Sequence, residues 1–178
     1  VAMRIVEAAG GLDAWASVPY LRFDFAVGSD SVRNLRARHL WNRQTGAYRV
    51  EMMGGPDTVY VALFDVDTRD GTVYLNGQPV DTTRAAELLQ RAYGRFINDT
   101  YWLLAPLKAF DPGVRRTYAA DSSGTDAEVV SLAFEDVGLT PGDRYWLHAD
   151  STGRLVAWTF LLEVTTTGLA SRFTWSDY

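Results

Sequence analysis

The chain has two histidines, His39 and His148, and these bound the acid–base chemistry it could do. His148-Ala149-Asp150 puts an imidazole and a carboxylate on one side of an extended segment, with Trp146 beside them. Such a pair works only within hydrogen-bond reach of a substrate proton. No Gly-x-Ser-x-Gly elbow accompanies it. A polar strand end running into the Ser151-Thr152-Gly153 turn explains the same residues, so a hydrolase using His148 and Asp150 stands only as an outside alternative. His39 lies among Leu35, Ala37 and Trp41 in an alternating pattern. It reads first as a core histidine with satisfied nitrogens, and second as part of a ligand site. A metal centre needs three or four converging ligands, and the two histidines stand far apart in sequence. Asp65, Asp67 and Asp70 do not meet the calcium-loop pattern in register, and read as a polar connection. No cofactor is implied.

Composition narrows the classes further. A chain of 178 residues suits one domain with a sizeable core, here expected over 1–178. Aromatic residues make up 13%, with six Trp, nine Tyr and eight Phe, enough ring surface to line a pocket as well as fill a core. The net charge of −5 disfavours nucleic acid, which needs a concentrated basic surface. The lack of cysteine removes disulfides, thiolate metal sites and thiol nucleophiles. No stretch reads as a transmembrane span. The opening Val1-Ala2-Met3-Arg4-Ile5-Val6 is already helical in pattern, which suggests a removed leader or lipid anchor upstream.

The elements that must position these residues are mostly strands. Residues 2–9 predict a short helix, stopped by Gly10-Gly11. Alternation predicts strands over 20–27, 35–43 and 47–53, each with one polar face. Thr58 to Phe64 is apolar on both faces and predicts a central strand covered on both sides. Asn76-Gly77 predicts a tight hairpin. Ala85, Leu88, Leu89, Ala92, Tyr93 and Phe96 follow helical spacing after the Asp81 cap. Asn98-Asp99 then predicts the cap of a second short helix, ended by Pro106. Strands return over 114–120, 127–134, 143–150, 154–164 and 170–175. The expected fold class is α+β, a single antiparallel sheet of about nine or ten strands with helices across its concave side.

Two segments carry a resemblance. Gly10-Gly11-Leu12-Asp13-Ala14-Trp15 with Leu21-Arg22-Phe23-Asp24-Phe25 is one. Asn98-Asp99-Thr100-Tyr101-Trp102-Leu103-Leu104-Ala105-Pro106-Leu107-Lys108 with Asp111-Pro112-Gly113 is the other. Together they resemble bacterial envelope proteins related to the lipoprotein-localisation factors LolA and LolB. The resemblance implies a strongly curved antiparallel sheet, an incomplete β-barrel, with helices closing it around an apolar cavity that receives acyl chains. It also implies a periplasmic or outer-membrane-anchored location. Any lipid anchor or peripheral membrane attachment would lie outside this chain, which has no N-terminal Cys.

The expected function is non-enzymatic binding or transport of a lipid, acyl chain or other hydrophobic ligand in the bacterial envelope. The alternative is an interaction or structural envelope domain, its sheet filled by its own side chains and its partner an envelope protein. Strand faces nominate Phe23, Phe25, His39, Trp41, Tyr48, Val50, Met52, Val61, Tyr101, Trp102, Trp158 and Phe160 as cavity lining. Tyr101-Trp102-Leu103-Leu104 reads both as the anchor of a helix and as the lid of a pocket. Val50, at the middle of the patch, is expected to face an open cavity.

Overall fold

Alternating side chains from Tyr20 onward build strands, because one set leaves water while the other stays in it. The computed structural model describes residues 1–29, 32–124, 127–135, 137–164 and 168–176. Its class is α+β, with two antiparallel sheets. By contacts the chain divides into two compact units, Ser17–Thr100 and Val1–Ala16 with Tyr101–Tyr178.

In Ser17–Thr100, six strands follow chain order across one sheet. They are β1 (Tyr20–Ser29), β2 (Val32–Asn42), β3 (Ala47–Gly55), β4 (Thr58–Asp65), β5 (Gly71–Leu75) and β6 (Gln78–Pro79). The β5–β6 turn uses Asn76 at φ 48° and Gly77 at φ 83°, the pair of positive angles that the Asn-Gly dipeptide tolerates. Register sets the faces. Phe23, His39, Val50, Ala62 and Val73 stand opposite one another, as do Phe25, Ala37, Met52, Tyr60 and Leu75. Leu21, Trp41, Tyr48 and Phe64 form a third row. Directly paired residues share a side, so these rows make one face. The helix α3 (Thr82–Lys108) covers that face with Leu88, Ala92 and Phe96.

The intervening rows point the other way. Leu40, Arg49 and Leu63 are paired there, and so are Arg38, Glu51 and Val61. Cover on both sides of β4 is therefore not what forms. Ala62 and Phe64 are buried, but Leu63 is 38% exposed and Val61 only half-buried. The neighbouring strands put Arg49, Glu51 and Thr72 on that side, and a surface so polar does not drive a second apolar layer onto itself.

In the other unit, β7 (Val114–Tyr118), β8 (Glu128–Phe134), β9 (Arg144–Ala149), β10 (Leu155–Leu161) and β11 (Ser171–Thr174) form the second sheet. Its order is β11-β10-β9-β8-β7. Its core joins Leu132, Leu147, Leu155, Trp158 and Phe160 to Ile5 and Val6 of α1 (Ala2–Ala8), and to Ala105 and Ala109. A further short helix, α2 (Leu12–Ser17), carries Trp15 half-buried.

Two expectations change. The strands make two sheets, not one, because the α3 segment separates β6 from β7 and denies them the short turn that pairs sequence neighbours. The helix break expected at Asn98-Asp99 does not occur either, and α3 runs 27 residues with Pro106 inside it. Pro106 stands in the last turn, where its missing N–H removes one hydrogen bond from an end that frays anyway.

The β9–β10 turn shows how tightly α1 docks in this unit. The Asp150 carboxylate accepts from the Thr152 and Arg154 backbone N–H groups at 2.9 and 3.0 Å, which closes the turn. Gly153 follows at φ 90°, and a Cβ there would lie 2.6 Å from the Arg4 carbonyl oxygen. Gly153→Ala therefore combines backbone strain with a backbone clash. It should destabilise by more than about 1 kcal/mol in chemical denaturation.

Candidate functional site

Most of the residues nominated on the first sheet do meet. Phe23, Phe25, His39, Trp41, Tyr48, Val50 and Met52 share the face beneath α3, set there by the register of β1 to β3. Their rings interlock with the helix: Trp41 meets Phe96 edge-on at 5.1 Å, and Tyr48 meets Phe96 at 4.8 Å. Edge-to-face contacts of this kind add to the apolar burial. Val61 does not join them. It pairs with Glu51 and so points to the opposite side from Val50 and Ala62. Val50 has no exposed surface at all, so no water-sized space adjoins it. The middle of the patch is closed core, and the expectation of an open wall at Val50 is reversed. Tight packing by the paired Ala62 and by His39 leaves no gap there.

A line of polar groups runs through this apolar face. The Tyr48 hydroxyl and His39 Nδ1 lie 2.7 Å apart. His39 Nε2 lies 3.0 Å from Asp99 Oδ2, and Arg95 Nη2 lies 2.6 Å from the same oxygen. The last two contacts are close in distance but off the line of a well-directed hydrogen bond, so they act mainly as charge contacts. His39 and Asp99 are almost wholly buried, at 2% and 3% exposure. Phe23 stacks flat on the imidazole at 4.3 Å, and the Arg95 guanidinium sits 5.1 Å over the Phe25 ring. Nδ1 is within hydrogen-bond distance of the Tyr48 hydroxyl, whereas Nε2 faces the Asp99 carboxylate without a well-directed hydrogen bond. His39 is thus a buried core histidine, as its alternation suggested, but only Nδ1 has a hydrogen-bond partner and Nε2 is left with the Asp99 charge contact.

The order hydroxyl, imidazole, carboxylate is that of a nucleophilic relay, but this phenol is not prepared for attack. Burial, then the Asp99 charge, pushes the Tyr48 hydroxyl well above its usual range, with Arg95 opposing. Both its burial and that shift oppose formation of a phenolate there. Burial also draws the Arg95 guanidinium below its usual value, while Asp99 pulls it back up. What the arrangement does is tie α3 to β2.

Tyr101, Trp102, Trp158 and Phe160 meet in the other unit. Trp102 stands edge-on to Trp158 at 4.8 Å and lies 5.0 Å from Phe160. Tyr145 stacks on Trp158 at 5.3 Å. Tyr101 fits between Phe134 and Tyr145, and its buried hydroxyl has no hydrogen-bond partner among the described residues. Burial first, then Tyr145 and two carboxylates, keeps that hydroxyl protonated. Of the two readings of this cluster, the helix anchor is the one the packing displays.

The remaining candidates are engaged locally. His148 Nε2 lies 2.9 Å from the Thr159 hydroxyl, and burial, followed by the Arg172 charge, disfavours its protonation. Asp150 spends its carboxylate on the Ser151-Thr152-Gly153 turn. The pair does not form a dyad. Asp65 likewise accepts the Asp67 and Thr68 backbone N–H groups at 2.9 Å, so it closes its own turn. The residues that sequence reading missed are Arg95 and Asp99. The available signal was their spacing: Ala92, Phe96 and Asp99 follow one helical face, which puts a carboxylate on the apolar side.

Two substitutions test this description. Val50→Arg places a charge where no water reaches and should cost at least about 3 kcal/mol, so that the thermal unfolding followed by circular dichroism shifts steeply down. Asp99→Ala leaves the guanidinium and the imidazole buried without their acceptor. It should cost about 3–5 kcal/mol in urea unfolding, whereas a surface carboxylate removed the same way costs less than about 0.5 kcal/mol.

No protein-family model matches the chain, and no curated protein matches it.

Proposed function

We propose that this protein binds a hydrophobic ligand, a lipid or acyl chain, in the bacterial cell envelope without catalysing a reaction. The observation that carries the reading is the ring-rich lining under α3. In one unit Trp41, Tyr48, Phe64 and Phe96 form it, and in the other Tyr101, Trp102, Trp158 and Phe160. Each methylene that replaces such a contact gains about 0.8 kcal/mol on leaving water, so an acyl chain asks little polar chemistry of its site. The packing described is then the closed form. Because Val50 has no accessible surface, a ligand reaches this face only when the apolar side of α3 moves off the rings. The resemblance to LolA- and LolB-like proteins supports the same reading, together with its finer fold, a strongly curved half-barrel with helices over the concave side. No helix among the described residues is long and apolar enough to cross a membrane.

A second reading is favoured by one observation. Val50, His39 and Tyr48 are 0%, 2% and 3% exposed, the burial of a finished core rather than of a site. On that reading the domain is filled by its own side chains and docks an envelope protein with its outer surface. Native mass spectrometry after secretion into a bacterial periplasm separates the two, combined with titration of a fluorescent fatty acid. Copurified lipid, or saturable uptake near one probe per chain, is the expected result. Neither lipid nor uptake in repeated preparations would leave the interaction domain as the reading.

A further inference from the structure

The six-stranded sheet carries a hollow of about 400 Å³ on the side away from α3. Its size falls in the range of small-molecule sites. Tyr20, Leu40, Arg49, Leu63, Asp65 and Asp70 are among its lining residues. The floor follows from register, since Leu40, Arg49 and Leu63 stand side by side across β2, β3 and β4. Leu40 is 43% exposed and Leu63 38%, and the Tyr20 ring at the margin is 59% exposed. Two large aliphatic side chains and a ring thus remain in water around one concavity.

Charge decides what fits it. The Arg49 guanidinium is drawn to Glu51 in the next row, which leaves its methylene stem between the two leucines. Arg38 on the same face is shared between Glu51 at 3.6 Å and Asp24 at 3.7 Å. Arg69, inside the Asp65–Asp70 turn, lies 4.3 Å over the Tyr93 ring. Arg49, Arg38 and Arg69 are therefore engaged, and Arg22, which pairs with Leu40 on the same face, is not among the residues that line the hollow. Asp65 and Asp70 line the hollow, and among the described residues no cation stands within ion-pair distance of either. The hydrogen bonds that Asp65 accepts from its own turn hold its carboxyl below the usual range, and so charged.

We propose that this hollow binds a cationic amphiphile, a small molecule with an aliphatic body and one ammonium head. The body lies along Leu40 and Leu63, and the head lies between the Asp70 carboxylate and the Tyr20 ring, a face that attracts ammonium groups. An anionic amphiphile of the same length meets unbalanced carboxylates instead. Tyr48 and Phe64 of the α3-covered face also border the hollow, but its floor of Leu40, Arg49 and Leu63 lies on the other side, and binding there does not require that an acyl chain bind beneath α3.

The test uses the full chain with labelled Leu and Val methyl groups. It is titrated with decyltrimethylammonium, with decanol and with decanoate, each below its micelle concentration. The Leu40 and Leu63 signals should shift saturably with decyltrimethylammonium. Its affinity should exceed that of decanoate about ten-fold, the ratio one screened charge contact supplies, and should weaken as salt is added. Asp70→Asn should remove most of that preference, and Leu63→Lys should abolish binding while the other methyl signals keep their positions. Equal affinity for the two charges overturns the proposal, as does the absence of any shift. Shifts confined to Val50 and Val73 also overturn it, because those methyls report the other face.

Discussion

Asp99 is a carboxylate held almost wholly out of water, between an imidazole on a strand and a guanidinium one turn back on its own helix. Removing such a charge from water is expensive, and only close partners make it tolerable. The partners here come from two elements, β2 and α3. Their meeting therefore fixes how the helix is rotated on the sheet and how far it slides along it. Leu88, Ala92 and Phe96 would pack acceptably in several nearby registers, but the ion contacts fit one. The role of the buried polar line is specificity of docking more than net stability.

That docking closes the aromatic face. With α3 in place, the rings of Trp41, Tyr48, Phe64 and Phe96 find one another, and Val50 beneath them has no free surface. Opening this face would return the rings to water and break the contact of Asp99 with His39. The same helix supplies its last turns to the second core, where Trp102 packs on Trp158 and Phe160. Small residues, Ala105 and Ala109, allow the close approach there.

The two sides of the six-stranded sheet carry different chemistry for a simple reason. Side chains alternate along each strand, and the register keeps like rows together. One side collects rings and aliphatic groups and is covered. The other collects Arg22, Arg38, Arg49 and Glu51, and with them Leu40, Val61 and Leu63. The leucines remain beside charged neighbours that prevent a second layer, and so form the floor of an open hollow.

Much of this was legible in the order of residues. Alternation located nearly every strand to within a few residues, Asn76-Gly77 marked its hairpin, and the α+β class followed. The shared face of Phe23, His39, Trp41, Tyr48 and Val50 was legible too, since a two-residue period and one tight turn suffice to place it. These are local properties, settled by neighbours a few positions away. Three matters were not local. The side taken by Val61 required the β3–β4 register, because a strand apolar on both faces gives no sign of its own. The division into two sheets depended on which strands find a partner across the long α3 segment. The part played by Asp99 depended on the helix continuing past Asn98. The same Asn-Asp pair that caps a helix in isolation becomes helix interior when His39, sixty residues earlier, offers its carboxylate a buried partner. Long-range contacts of that kind leave no trace in local spacing, and only the folded chain decides them.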